Sequence, residues 1–135
     1  MGQWVSSNHN DADAYVGSAL PFCSGNMTVS NSATTRIDFP YVTRWITVFN
    51  NTADGGNSLR VGFTENGINA NPTSNSNFFV VPADTASPRL EVKCSKIFLL
   101  GVGGSATVSL IAGYTAIPRN QFLNLTASAD FQGVG

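Results

Sequence analysis

Charged side chains are scarce in this 135-residue chain: Asp, Glu, Lys and Arg make up 11% of it, about half the share usual in globular domains. Asn, Ser, Thr and Gly supply the polarity instead, so the surface must rely on neutral hydrogen bonds. The seven Lys and Arg are spread along the chain against eight Asp and Glu. No basic stripe can neutralise a row of phosphates, and nucleic acid is not an expected partner. Low charge also removes the repulsion that keeps proteins apart, which suits a subunit that packs against neighbours.

Histidine occurs once, at His9, flanked by Asp11 and Asp13. A metal or acid–base site would have to form within that polar stretch, without the supporting shell that ordered ligands need, so no metal is expected. Cysteine occurs twice, at Cys23 and Cys94. No apolar run approaches ~18 residues, and Met1-Gly2-Gln3-Trp4-Val5-Ser6-Ser7-Asn8 has neither the charged nor the apolar region of a secretory signal. Reduced thiols are therefore expected, as small core hydrophobes. Met1-Gly2 with Ser6 fits only the loose myristoylation pattern, and no direct membrane contact is expected. The sequons at Asn26, Asn50 and Asn124 carry meaning only for a chain that enters a secretory pathway.

The residues of catalysis are just as thin. A nucleophilic Ser or Cys needs an adjacent base, and the sole histidine is remote in sequence from both cysteines. Asp38, Asp54, Glu65, Asp84 and Glu91 are scattered over expected edges and turns rather than grouped as a glycosidase pair. Gly101-Val102-Gly103-Gly104-Ser105 lacks the lysine and helix of a phosphate loop and reads as a hairpin turn. Neither an enzyme nor a cofactor is expected. Trp4, Tyr15 and Tyr41 could stack on sugars, which leaves a carbohydrate- or receptor-binding module as the alternative.

What is abundant is two-residue alternation. Arg89-Leu90-Glu91-Val92-Lys93-Cys94-Ser95 puts Leu90, Val92 and Cys94 on one face and Arg89, Glu91, Lys93 and Ser95 on the other. The same period recurs in Thr35-Arg36-Ile37-Asp38-Phe39 and Leu59-Arg60-Val61-Gly62-Phe63-Thr64. Strands are expected near 26–31, 34–39, 43–50, 58–64, 77–82, 88–94, 96–100, 106–117 and 122–128, separated by turn signals at ~8 to 12 residue spacing. Asp54-Gly55-Gly56-Asn57 is hairpin chemistry, Pro40 breaks one run, and Asn66-Gly67 and Asn71-Pro72 open a longer loop. Trp45-Ile46-Thr47-Val48-Phe49 and Lys96-Ile97-Phe98-Leu99-Leu100 are apolar on both faces and are expected to be interior strands, or strands whose outer face meets another subunit. Residues 1–20 are polar and aperiodic and read as an N-terminal arm before a domain spanning 21–135. The expected fold is all-β: a single jelly-roll sandwich of about eight antiparallel strands, with an immunoglobulin-like sandwich as the nearest alternative.

Strand register could align Arg36, Arg44, Arg60 and Arg89, with Glu91 beside the last, on solvent-facing sheet surfaces. These five are the expected subunit-interface residues, because arginine is enriched at interfaces and pairs bidentately with carboxylates.

The segments Arg36 to Val48, Leu59 to Gly67, Arg89 to Cys94 and Ile111-Ala112-Gly113-Tyr114-Thr115 together resemble the single-jelly-roll penton proteins of large icosahedral double-stranded DNA viruses, especially those of algae. The resemblance covers about residues 30 to 128 and rests on strand patterns. It implies a structural capsid protein in the virion, assembled in the host cytoplasm. Five copies would close a homopentamer at each fivefold vertex, among neighbouring major and minor capsid proteins, with the arm and the Phe131-Gln132-Gly133-Val134-Gly135 tail ordering against those neighbours.

Overall fold

A computed structural model describes residues 20–69 and 77–122. The elements are β1 (Pro21–Val29), β2 (Thr35–Asp38), β3 (Tyr41–Asn50), β4 (Ser58–Gly62), a helical turn α1 (Glu65–Asn69), β5 (Phe78–Val81), β6 (Thr85–Ala86), β7 (Lys96–Val102) and β8 (Ala106–Pro118). A 3-10 turn at Arg119–Gln121 follows β8. The strands form two four-stranded antiparallel sheets, in the orders β1-β8-β3-β6 and β2-β7-β4-β5. First pairs with last, second with seventh, third with sixth and fourth with fifth. That nesting is a long antiparallel ribbon rolled on itself, the jelly roll.

Alternation in the sequence becomes the space between the sheets. Ile46 and Val48 from β3, and Val108, Leu110 and Ala112 from β8, meet Leu59 and Val61 from β4 and Ile97 and Leu99 from β7, all essentially inaccessible. Both doubly apolar segments occupy interior positions: β3 lies between β8 and β6, and β7 between β2 and β4. The second face of β7 carries Phe98 and Leu100, which are covered from outside by Ile68 of α1 and by Phe78. Positive φ at Gly55 and Gly103 turns the chain between β3 and β4 and between β7 and β8, as the expected hairpin signals require.

Three expectations need correction. The segment 88–94 is not a ladder strand: within it only Leu90 forms a bridge, to Ile46, through N–H donated in both directions at 2.8 and 2.9 Å. Pro88 has no N–H to give, and Ser87 Oγ takes the Val48 N–H at 3.0 Å, so the edge that begins regularly as β6 loses its register beside β3. The side-chain alternation nonetheless holds for Leu90, Val92 and Cys94, which all face the core, while Ser95, expected outside, is buried.

Asn66-Gly67 does not open the loop. It lies inside α1, which Thr64 caps by accepting the Gly67 N–H on its hydroxyl at 3.0 Å, and Glu65 occupies the first turn. The first strand begins at Pro21, not near 26, and is interrupted between Ser24 and Met27 by a bulge at which Asn26 has φ 53°. Residues 123–128 of the strand expected at 122–128 and the arm before residue 20 lie outside the described residues, as do Asn71-Pro72, Asn124 and His9.

Candidate functional site

The five residues expected at a subunit interface do not share a surface. Arg36 on β2 stands opposite Phe98, and Arg60 on β4 opposite Leu100, so both lie on the outer face of the second sheet. Arg44 is half-buried on β3 of the first sheet, and Arg89 and Glu91 sit on the irregular edge beside it. Register aligns the first two and separates them from the rest.

Each of three arginines has local work. Arg60 places its guanidinium 4.5 Å over the Phe78 ring and donates Nη1 to the Ile68 carbonyl at 3.3 Å, at the C-terminal end of α1. It thereby roofs the outer apolar cluster and answers the negative end of the turn. Arg89 lies 5.5 Å from the Trp45 ring centre and pairs with Glu91 at 2.6 Å; both partners are more than half exposed, so the ion pair adds little stability. Arg36 donates Nε to Asp38 Oδ1 at 2.8 Å.

The densest charge in the described residues is at that last position. Asp38 Oδ1 also accepts from Arg119 Nη2 at 3.0 Å, and Asp38 is the cross-strand partner of Lys96. Two guanidinium groups thus converge on one carboxylate, with Lys96 opposite it on the neighbouring strand. Burial would raise the Asp38 pKa, but hydrogen bonds and charge from Arg36 and Arg119 outweigh it and hold the carboxyl below its ordinary value. For Lys96 burial comes first and lowers the pKa, reinforced by the Arg36 and Arg119 charges against the opposing pull of Asp38. Sequence reading missed this corner. The Arg36–Asp38 spacing, two residues apart on one strand face, was a signal for part of it, whereas Arg119 arrives from 81 residues away.

Two hollows are shallow. One of about 290 Å³ is lined by Asn31, Ser32, Arg60, Asn69, Leu100 and Gly101 to Gly103. Another of about 210 Å³ lies against Phe49, Asn50, Asn51 and Asp84 to Ala86. Among the described residues no three of His, Cys, Asp and Glu are grouped to hold a metal.

The thiols differ sharply. Cys23 is exposed on β1, while Cys94 is buried, held by its N–H to Thr43 Oγ1 at 3.1 Å and with Sγ 3.3 Å from that oxygen. Burial pushes the Cys94 thiol up to about 11 against the weaker pull of Thr43. Native protein is therefore expected to give one thiol to Ellman's reagent at about pH 8, and two after denaturation. Two fast-reacting thiols in the native state would contradict this placement. The sequon asparagines differ too: Asn26 is exposed, whereas Asn50 is buried with its amide engaged, so the folded chain offers no glycan acceptor there.

No family model, curated protein or solved structure matches this chain.

Proposed function

We propose that this chain is a shell subunit: a structural viral capsid protein whose five copies close a penton at the icosahedral fivefold vertex. The observation that carries the reading is the pair of unlike flanks on a jelly-roll sandwich. One flank is edged by β1 and β2, the other by β5 and β6. A ring closes through a heterologous contact in which one side of a subunit meets a different side of the next, and two unlike flanks supply such a pair. The family resemblance of the strand segments supports the same reading, and the low surface charge allows close approach of copies. Arg44, Arg89 and Glu91 beside β3 and Arg36 and Arg60 on the second sheet then fall to different neighbours. The other partners are the major and minor capsid proteins around the vertex.

Native mass spectrometry of the purified protein, alone and with its capsid partners, tests this. A fivefold multiple of the 14.2 kDa chain is the expected mass. A monomer that neither assembles nor binds capsid partners overturns it.

The hollow beside Arg60 favours a second reading, a carbohydrate- or receptor-binding head on the same fold, since Asn31, Ser32, Arg60 and Asn69 present polar groups around an apolar floor at Leu100. Saturable glycan-array binding by a monomer or trimer would select that reading over the shell.

A further inference from the structure

The two hollows sort opposite charges. Arg60 is the one charged residue that lines the hollow between the β1–β2 loop and the β7–β8 turn; Asn31, Ser32 and Asn69 supply neutral amide and hydroxyl groups around Leu100. Glu65 of α1 does not line it and takes the Thr34 hydroxyl at 3.3 Å. The other hollow has a carboxylate, Asp84, and no cation.

The Arg60 guanidinium is held in place before any ligand arrives. It lies 4.5 Å over the Phe78 ring, and Nη1 donates to the Ile68 carbonyl at 3.3 Å and to the Asn69 carbonyl at 3.5 Å. Both bonds use the same nitrogen. Among the described residues Nε and Nη2 have no acceptor, so the guanidinium keeps the paired donors that match the two oxygens of a carboxylate. Because stacking and the carbonyls already fix the side chain, little rotamer freedom is lost when an anion binds. Arg60 is also half-buried, between Leu100 and Val80 on the neighbouring strands, so an anion there is attracted more strongly than at an open surface.

Taking this hollow as the sugar site of the second reading, on which this step rests, we propose that its ligand is acidic: a single sugar ring whose carboxylate accepts from Nε and Nη2 of Arg60. The ring hydroxyls meet Asn31, Ser32 and Asn69, and its apolar C–H face lies on Leu100. At about 290 Å³ the hollow is at the small end of ligand sites and suits one ring rather than a long chain.

Titration of the native protein, followed by amide NMR signals, tests this with glucuronic acid and N-acetylneuraminic acid against glucose, sodium acetate and the methyl esters of both acids. The acids are expected to shift the Ser32, Asn69 and Gly103 signals saturably. Esterification removes the charge and keeps the ring, and is expected to weaken binding by about tenfold or more. Arg60→Gln is expected to erase the preference for acid over ester. That variant also loses the contacts to Phe78 and α1, so Asn31→Ala, an exposed loop position, serves as the second: all ring ligands weaken a few-fold and the preference for acid stays.

Esters or glucose that bind as tightly as the acids would overturn the proposal and leave the hollow a sugar site. Acetate that binds as tightly would show a bare anion site and overturn it as well. Shifts confined to Phe49 and Thr85 would put the sugar in the other hollow, against the proposal. No saturable shift with any of these ligands would overturn both the proposal and the sugar-binding reading.

Discussion

Replacing Phe39 with alanine is expected to cost about 3–5 kcal/mol and to lower the thermal midpoint by about 10–15 °C. Phe39 is wholly inaccessible although it lies in the connection between β2 and β3. Its ring meets Phe22 edge-on at 5.3 Å and Tyr114 at 6.1 Å, and its N–H donates to the Ser95 carbonyl at 2.9 Å. It therefore joins β1 and β8 of one sheet to the end of β2 in the other. Pro40 holds Phe39 extended, so the backbone cannot collapse into the vacated space. Deletion removes the transfer energy of the ring, the edge-on contacts and part of the inter-sheet packing together. Phe49, 36% exposed on β3, is the control. Its alanine variant is expected to lose under about 1 kcal/mol. Calorimetric melts that give equal losses at the two positions would refute the placement of Phe39.

The second large effect belongs to a polar residue. Asn50, 1% exposed at the end of β3, donates Nδ2 to the carbonyls of Asn57 and Val81, both at 3.0 Å, and accepts the Thr52 N–H on Oδ1 at 3.2 Å. One amide thus secures the turn into β4 and ties β3 of the first sheet to β5 of the second. Asn50→Ala leaves buried carbonyls without a donor and is expected to cost about 2–4 kcal/mol. Asn50→Asp should be worse at neutral pH, because a carboxylate would face two carbonyl oxygens in a buried site. That arrangement raises the folded-state pKa above the unfolded value. Stability is then retained below the unfolded pKa of about 4 and lost as pH rises through the folded one. Urea melts of the aspartate variant are expected to show a smaller deficit against wild type near pH 4 than at pH 7. A deficit that grows on acidification would show that the side chain does not face those carbonyls.

The sequence was legible where one face of a strand meets the core and the other does not. Leu59 and Val61 alternate with Ser58 and Arg60, and Val108, Leu110 and Ala112 with Thr107, Ser109 and Ile111, so β4 and β8 could be read from period alone. The period could not reveal pairing. Arg89 to Ser95 has the cleanest alternation in the chain, yet hydrogen bonds only intermittently to β3, because alternation records which side is buried and says nothing of whether the edge has donors in step. The two-residue β6 was too short to carry a period, and Thr64 was read as the end of a strand when its hydroxyl caps a helical turn. Of the interface candidates, the arginines were visible as residues, but Arg60's engagement with the α1 carbonyls and Phe78 depends on a helix that the sequence reading did not contain. The Asp38 corner gathers groups from β2, β7 and the turn after β8, and only topology brings these together.

The position of β8 between β1 and β3 also bears on how the protein is made. During synthesis β1 leaves the ribosome first and must wait for the strand that emerges last among the eight before it has anything to pair with. β3 waits as well, since its long partner is the same strand and β6 offers it only two residues. The first sheet therefore has no stable vectorial precursor. Such non-local pairing folds slowly, and for that interval the apolar faces of β1 and β3 are open to other chains emerging nearby.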